Sequence, residues 1–425
     1  MFELLMALSP SYITALVVGC MVVVFMTRKA LVDRKIRKLG GVRSPVLATN
    51  PITGLPFLIR TGYYQTRDKL DHFYNSIFDY ATPECPNCVE ISFLGRVRFL
   101  MTREPEHVKT ILTTKFGEYG KGPQFHEIWS PFLGDSIFTT DDQLWADSRS
   151  LIRPMFIKDR VRDIEVFDKW ANTLISKLPY LLPRPDFTFL RQASRGYHAA
   201  IAKVIRDQLM AVLIAGRDTT AATLSWAIYE LAHCPRAYAR LGDEVLATVG
   251  PARQPTYEDL KSMSYLTHTL NETLRLYPAV PYNLRAALQD TSLPGRPGQP
   301  DIAVLEGDVV VYSAMAMQRR RDLYPEVDAK GEKFADPAVF CPERWDAWTP
   351  KAWNYVPFNG GPRICVGQNF AMTEMALTLV RLLQKYRRLE YRGDWHAQFH
   401  KAEIVGAPGH GVPVAFFEAE NGDLA

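Results

Sequence analysis

One stretch of the 425-residue sequence has residue types and spacing that suit chemistry: Phe358-Asn-Gly-Gly-Pro-Arg-Ile-Cys-Val-Gly367. Two glycines and a proline force a tight turn. Cys365 then stands at the head of a helix, where peptide dipoles and free N–H groups favour a thiolate. A cysteine so placed is a metal ligand or a nucleophile, with a buried structural thiol as the bland alternative. The nucleophile needs a base, and no histidine lies within thirty positions on either side, although a spatial neighbour stays open.

Other candidates are weaker alone. Glu272-Thr-Leu-Arg275 puts a carboxylate and a guanidinium at i and i+3 on one helix face, by itself a surface pair worth little. Ala215-Gly-Arg-Asp-Thr-Thr220 interrupts a long apolar helix with polar groups, yet a mid-helix hydroxyl is often only bonded back to the preceding turn. Trp145 and Arg149 share a face four residues apart. Cys85-Pro-Asn-Cys88 is a second metal signal, but it has no partner pair and reads as a loop feature.

The elements that hold these residues follow from apolar periodicity and breakers. Val89–Phe93 and Val97–Met101 form a hairpin about Leu94-Gly95-Arg96, after a turn at Pro51–Pro56. Pro105 opens a helix, another runs from Asp141 or Asp142 to Pro154, and the longest spans about Ala199 to Cys234. A helix ending at Pro278, a small hairpin through Glu306-Gly307-Asp308 and a last helix from about Gly367 to Tyr386 complete a mainly α chain with a small β region. At the amino end, Leu4–Met26 carries no charge and is long enough for the roughly 30 Å of a bilayer core. Arg28, Lys29, Arg34, Lys35, Arg37 and Lys38 follow it, whereas only Glu3 precedes it. This asymmetry argues against a cleaved signal peptide and leaves the remainder in the cytosol. The chain divides into a transmembrane anchor (1–27), a basic flank and Pro-rich linker (28–56) that can touch anionic lipid, and a catalytic body (57–425).

Composition narrows the classes. Hydrophobic residues make up 47% and charged residues 23%, which excludes disorder and collagen. A net charge of +4 gives no basic field for nucleic acid. Six scattered cysteines do not make a disulfide framework and suit a reducing compartment.

Around Cys365 the chain resembles the cytochromes P450, whose haem-ligand loop has this pattern of Phe, Gly, Arg, Cys and Gly. The resemblance covers nearly all of residues 40 to 418. It implies haem b with Cys365 as the axial thiolate, Phe358 and Gly367 in the ligand loop, and Trp145, Arg149, Arg285 and Arg363 at the propionates. Glu272, Arg275 and Arg344 of Pro342-Glu-Arg-Trp345 would form a buried network behind the loop. Gly216 would mark a kink at the oxygen site, with Asp218 and Thr219 relaying protons. Gly120-Lys-Gly-Pro-Gln-Phe-His-Glu-Ile-Trp129, Asp135-Ser-Ile-Phe138 and Ser313-Ala-Met-Ala-Met-Gln-Arg-Arg320 look like the fungal alkane and fatty-acid hydroxylases.

The implied function is insertion of one oxygen atom from O2 into a C–H bond of a hydrophobic substrate. Electrons would come from NADPH through a reductase docked at the Cys365 face. The implied location is the endoplasmic reticulum membrane, single-pass, with the catalytic domain cytosolic. One departure is large. Only 74 positions separate Trp145 from Thr219, where the family places several more helices, on the order of a hundred residues. Those helices would roof the substrate pocket, so apolar surface should be exposed on the central helix. Two alternatives remain: a non-catalytic truncated remnant, and a thiolate-haem isomerase or dehydratase, against which the Asp218-Thr219 pair counts.

Overall fold

The computed structural model describes residues 10–48, 51–93, 97–156, 164–177, 199–328, 331–401 and 404–418. The expected turn at Leu94–Arg96, the start of the apolar run before Pro10 and the junction Leu178–Leu190 lie outside the described residues. The chain divides into two compact units, Met1–Gly120 with Asn283–Ser313, and Lys121–Tyr282 with Ala314–Ala425.

The first unit opens with helix α1, Pro10–Lys38, whose last turn carries Lys35, Arg37 and Lys38 against the negative end of its dipole. Its segment Thr14–Lys38 is long and apolar enough to cross a membrane, with mean hydropathy 2.0 and an apolar window that is nowhere buried. The basic end is not wholly free for lipid: Lys35 pairs with Asp290 at 2.6 Å, and Ile36 is buried with Ala303 and Leu305. The turn expected at Pro51–Pro56 is instead the start of helix α2, Pro51–Gln65. Proline suits a helix's first residue, and Pro56 sits early enough to cost one ladder bond without ending it.

The unit's six-stranded sheet contains β1 (Val46–Ala48), β2 (Cys88–Phe93), β3 (Val97–Thr102), β4 (Tyr119–Gly120), β5 (Tyr282–Ala287) and β8 (Val309–Ser313), in the order β1-β2-β3-β8-β5-β4. β2 and β3 form the expected antiparallel pair, with Val89 opposite Met101 and Ile91 opposite Phe99. The hairpin expected at Glu306–Asp308 is corrected. Gly307 does turn the chain with φ +84°, but β7 (Ile302–Val304) pairs with β6 (Thr291–Leu293), whereas β8 joins the large sheet beside β3. Buried Glu90 receives Arg43 at 2.8 Å and Arg98 at 2.9 Å, and Arg98 also holds Asp308 at 2.6 Å. Burial pushes the Asp308 carboxyl up to about 7 against the pull of Arg98.

The second unit is helical. It contains α3 (Gly122–Leu133), α4 (Asp142–Ile152), α5 (Ile164–Lys177), α6 (Ala199–His233), α7 (Pro235–Thr248), α8 (Ser264–Leu276) and α9 (Gln368–Lys385). Two small antiparallel ladders, β9 (Tyr386–Tyr391) with β12 (Val414–Glu418) and β10 (His400–Lys401) with β11 (Ala407–Pro408), complete it. Leu241 and Val245 of α7, Leu266, Leu270 and Leu274 of α8, and Leu377, Val380 and Leu383 of α9 fill one core. Each such side chain contributes roughly 1.5–3 kcal/mol by leaving water.

Helix α6 buries Asp207, Ala211, Thr223, Ala227 and Leu231, members of a single i, i+4 row. Half a turn round, Ile205, Leu209 and Leu213 form an apolar row that the described residues leave exposed. Between α4 and α6 the described residues supply only a 3₁₀ turn, Arg153–Phe156, and α5. Asp168 of α5 ion-pairs with Arg381 of α9, and Phe167 packs 4.7 Å from Phe370.

Candidate functional site

The loop before α9 is built around two close approaches. Gly361 and Asn359 take left-handed backbone, with φ of 62° and 65°, and the Gly361–Arg363 turn closes when Ile364 N–H donates to the Gly361 carbonyl at 3.0 Å. A Cβ at Gly360 would stand 2.5 Å from the Trp353 ring, and one at Gly367 would meet the Phe156 ring at 3.3 Å. Cys365 N–H donates to the Phe358 carbonyl at 2.9 Å, which fixes the cysteine one turn ahead of α9. The side chain is exposed, yet loop atoms crowd the sulfur. That crowding raises the thiol above its ordinary value, while the Gly367 N–H and the Arg149 guanidinium pull it down. The helix-head advantage expected from sequence is therefore offset, and a metal would complete the deprotonation.

Three of the four expected propionate ligands gather in the second unit. Arg363 lies 4.6 Å over the Trp145 ring, and Arg149 lies 5.9 Å from the same ring's centroid. Arg363 donates to Asp141 at 2.6 Å and to the Thr140 carbonyl at 3.1 Å. Asp141 also accepts the Lys121 and Gly122 N–H groups at 2.8 Å each. Burial and the like charge of Arg153 lower the Arg149 guanidinium's pKa, with only the Cys365 thiol opposing them. Among the described residues Arg149 has no carboxylate partner. Arg285 belongs to the other unit, buried on β5, where it donates to the Asn283 side chain and the Leu284 carbonyl. An exposed cysteine beside an uncompensated guanidinium and an indole fits a flat apolar macrocycle that carries a thiolate-seeking metal and carboxylates.

Glu272, Arg275 and Arg344 are brought together as expected, and all three are buried. Arg275 donates to both Glu272 oxygens, at 2.8 and 2.9 Å, and Arg344 reaches Glu272 at 3.3 Å. Sequence reasoning missed the rest of the shell. The Trp345 indole N–H and the Cys341 backbone N–H complete the carboxylate's bonding at 3.0 and 2.9 Å. Gln318 bridges the end of α8 to the segment before Cys365, donating to the Leu274 and Arg275 carbonyls and accepting Val356 N–H at 2.8 Å. Trp345 lies next to Arg344, so its adjacency was a usable signal. Gln318 carried none.

The α6 residues behave differently from expectation. The helix is continuous from Ala199 to His233 through Gly216, and a Cβ there would meet nothing within 4 Å. Glycine permits a bend but does not impose one. Thr219 Oγ1 donates to the Ala215 carbonyl at 2.5 Å, the back-bonded arrangement. Asp218 is half-buried and ion-pairs with Arg217 at 3.1 Å, with no hydrogen bond to Thr219 among the described residues. Thr220, not foreseen, hydrogen-bonds to Glu374 of α9, whose carboxyl is raised by burial.

These positions can be set beside other proteins. Residues 186–405 match the family described as Cytochrome P450. Cytochrome P450 monooxygenase pvhE of Talaromyces variabilis is 35% identical over 96% of each chain. Its alignment runs over 527 positions, more than the chain has residues, so on the order of a hundred face gaps in this chain. Cytochrome P450 52A1 of Candida tropicalis is 30% identical over 77% of this chain and 80% of its own. Cytochrome P450 52A13 of Debaryomyces hansenii is 30% identical over 80% and 85%. The glycine-bound cysteine loop, its buried brace and matches that extend far beyond both lead to one conclusion: the chain belongs to the cytochrome P450 family and has its mainly helical fold.

Proposed function

We propose that the chain is a membrane-anchored haem-thiolate monooxygenase whose substrate is a long-chain alkane or fatty acid. Haem b bound here supplies oxygen activation, using electrons from NADPH through a reductase, so that one atom of O2 enters a C–H bond. Cys365 would hold the haem iron through its thiolate; Phe358 and Gly367 shape its loop. Trp145, Arg149 and Arg363 would hold the haem carboxylates, and the family resemblance assigns the same role to Arg285. The observation that carries this reading is Cys365, exposed in the glycine-rich loop at the head of α9, together with the buried Glu272 network.

The chain's own residues supply protons and position. Thr219 spends its O–H on Ala215 and keeps lone pairs to accept a proton, which Asp218 can deliver by leaving Arg217. The apolar row Ile205, Leu209 and Leu213 would line the substrate pocket under a roof. The substrate class rests on the three segments that resemble alkane and fatty-acid hydroxylases. We place the chain in the endoplasmic reticulum membrane, with one span and a cytosolic catalytic domain, on the strength of α1 and its basic flank.

The short interval between α4 and α6, and the exposed row on α6, favour a second reading, in which the truncated chain is a non-catalytic remnant. Turnover with NADPH and a reductase separates the two. The chain should consume oxygen and release mainly peroxide, because water reaches an unroofed pocket. A chain with the interval rebuilt from a full-length relative should yield hydroxylated fatty acid or alkane. No haem-dependent oxygen consumption by the 425-residue chain would favour the remnant.

A further inference from the structure

The Cys85-Pro-Asn-Cys88 segment has a use that the haem site does not absorb. Pro86 and Asn87 form a turn between the two cysteines, and such turns keep their end Cα atoms within about 7 Å, inside the span a disulfide bridges. Both thiols are free. Cys85 Sγ donates to the Cys88 carbonyl at 3.5 Å, which brings the first thiol back over the second cysteine.

The surrounding contacts set the turn. Thr82 and Cys85 form a bridge, with Cys85 N–H donating to the Thr82 carbonyl at 3.0 Å. Asn87 is gripped from both sides, donating to Glu104 at 2.6 Å and accepting Arg103 Nε at 3.1 Å. Arg296 donates to the Pro83 carbonyl at 3.2 Å and adds positive charge near Cys85.

The two sulfurs differ. Cys85 is half-buried, and its thiol is held below the ordinary range by its closeness to Cys88 and by Arg296, against burial. Cys88 opens β2 and is fully buried, and its thiol is pushed up by the neighbouring Cys85 and by burial. A reachable low-range thiol beside a buried high-range one is the division of labour of an attacking and a resolving cysteine. A structural zinc would need two more ligands, and the described residues contain no group of three or more His, Cys, Asp or Glu suited to a metal.

We propose that Cys85 and Cys88 form a reversible dithiol–disulfide pair that reacts with hydrogen peroxide, Cys85 attacking and Cys88 resolving. The Cys85 thiolate attacks one peroxide oxygen, forming an S–O bond and breaking O–O; the departing hydroxide takes up the proton lost by the thiol and leaves as water. The Cys88 sulfur then attacks Cys85, forming S–S and breaking S–O, and its own proton leaves with the hydroxide as a second water. Two electrons pass from the sulfurs to peroxide. A dithiol reductant reverses the bond by exchange. The inference is independent of the haem reading.

The full chain in detergent is treated with hydrogen peroxide under native conditions, its remaining thiols are alkylated, and its peptides are weighed. The peptide holding both cysteines should lose about 2 Da and take no alkyl group, and dithiothreitol should restore both alkylation sites. Cys88→Ser should accumulate a sulfenic acid on Cys85 that dimedone traps. Cys85→Ser should oxidise at Cys88 at least roughly tenfold more slowly than the wild type. A peptide that stays doubly alkylated while other cysteines oxidise would overturn the proposal, and so would Cys88 oxidation at wild-type rate in Cys85→Ser. The wild-type measurement stands even where a variant fails to fold.

Discussion

Arg275 grips Glu272 through two nitrogens, 2.8 and 2.9 Å from the two carboxylate oxygens, and both residues are fully buried one turn apart on α8. On a surface this pair would contribute little. Its value comes from what it joins: Arg275 also donates to the Pro337 carbonyl at 2.7 Å, and Glu272 anchors Arg344 and Trp345. The pair therefore ties α8 to the chain that leads toward Cys365.

Glu272→Ala leaves two guanidinium groups buried without their shared carboxylate, a loss of about 3–5 kcal/mol. The purified variant should melt well below the wild type and carry little haem. Unchanged yield and haem content would show that the three residues do not brace the loop.

Gly360→Ala should loosen the same loop from the other side, because its new methyl would meet Trp353 at 2.5 Å. Overpacking of this kind costs about 1–3 kcal/mol. Haem retention on dilution should fall, and Trp353→Ala in the same chain should restore part of it.

Acid sensitivity has a named contributor. Asp259 closes a capping box with Thr256 and accepts Arg253 at 2.7 Å, which lowers its carboxyl from 3.8 to about 2. The unfolded chain binds this proton first as pH falls, so the stabilisation is present above about pH 4 and disappears on the way down to about 2. Asp259→Asn should lower stability at neutral pH by about 0.2–1 kcal/mol and flatten the acid limb. A denaturant midpoint series between pH 2 and pH 6 reads both effects.

Thr219→Ala removes the bond to Ala215 without leaving a buried donor, so the melting temperature should hardly move. In a chain with the interval rebuilt, the ratio of peroxide to hydroxylated product should rise several-fold. An unchanged ratio would remove Thr219 from the proton path.

The legible parts of the molecule are those where local sequence and tertiary role coincide. Proline and glycine punctuate the loop around Cys365, and the i, i+3 spacing of Glu272 and Arg275 survives as a direct contact. Both were readable. Gln318 was not, since its three partners lie about forty residues away in sequence and no local pattern marks it. Around Gly216 the motif marked a long helix, and α6 is one, but the back-bond of Thr219 to Ala215 is a local choice of rotamer that no sequence pattern fixes. At Glu306–Asp308 the turn was readable, whereas the choice of partner strands on either side depends on long-range pairing with β3 and β6.

The carbon monoxide difference spectrum of the reduced protein tests the central claim most directly. The wild-type chain, reconstituted with haem b, should show a band at the thiolate-ligand position, and Cys365→Ala and Cys365→His should both abolish it. A band surviving at that position in either variant would contradict the assignment of Cys365 as the haem ligand.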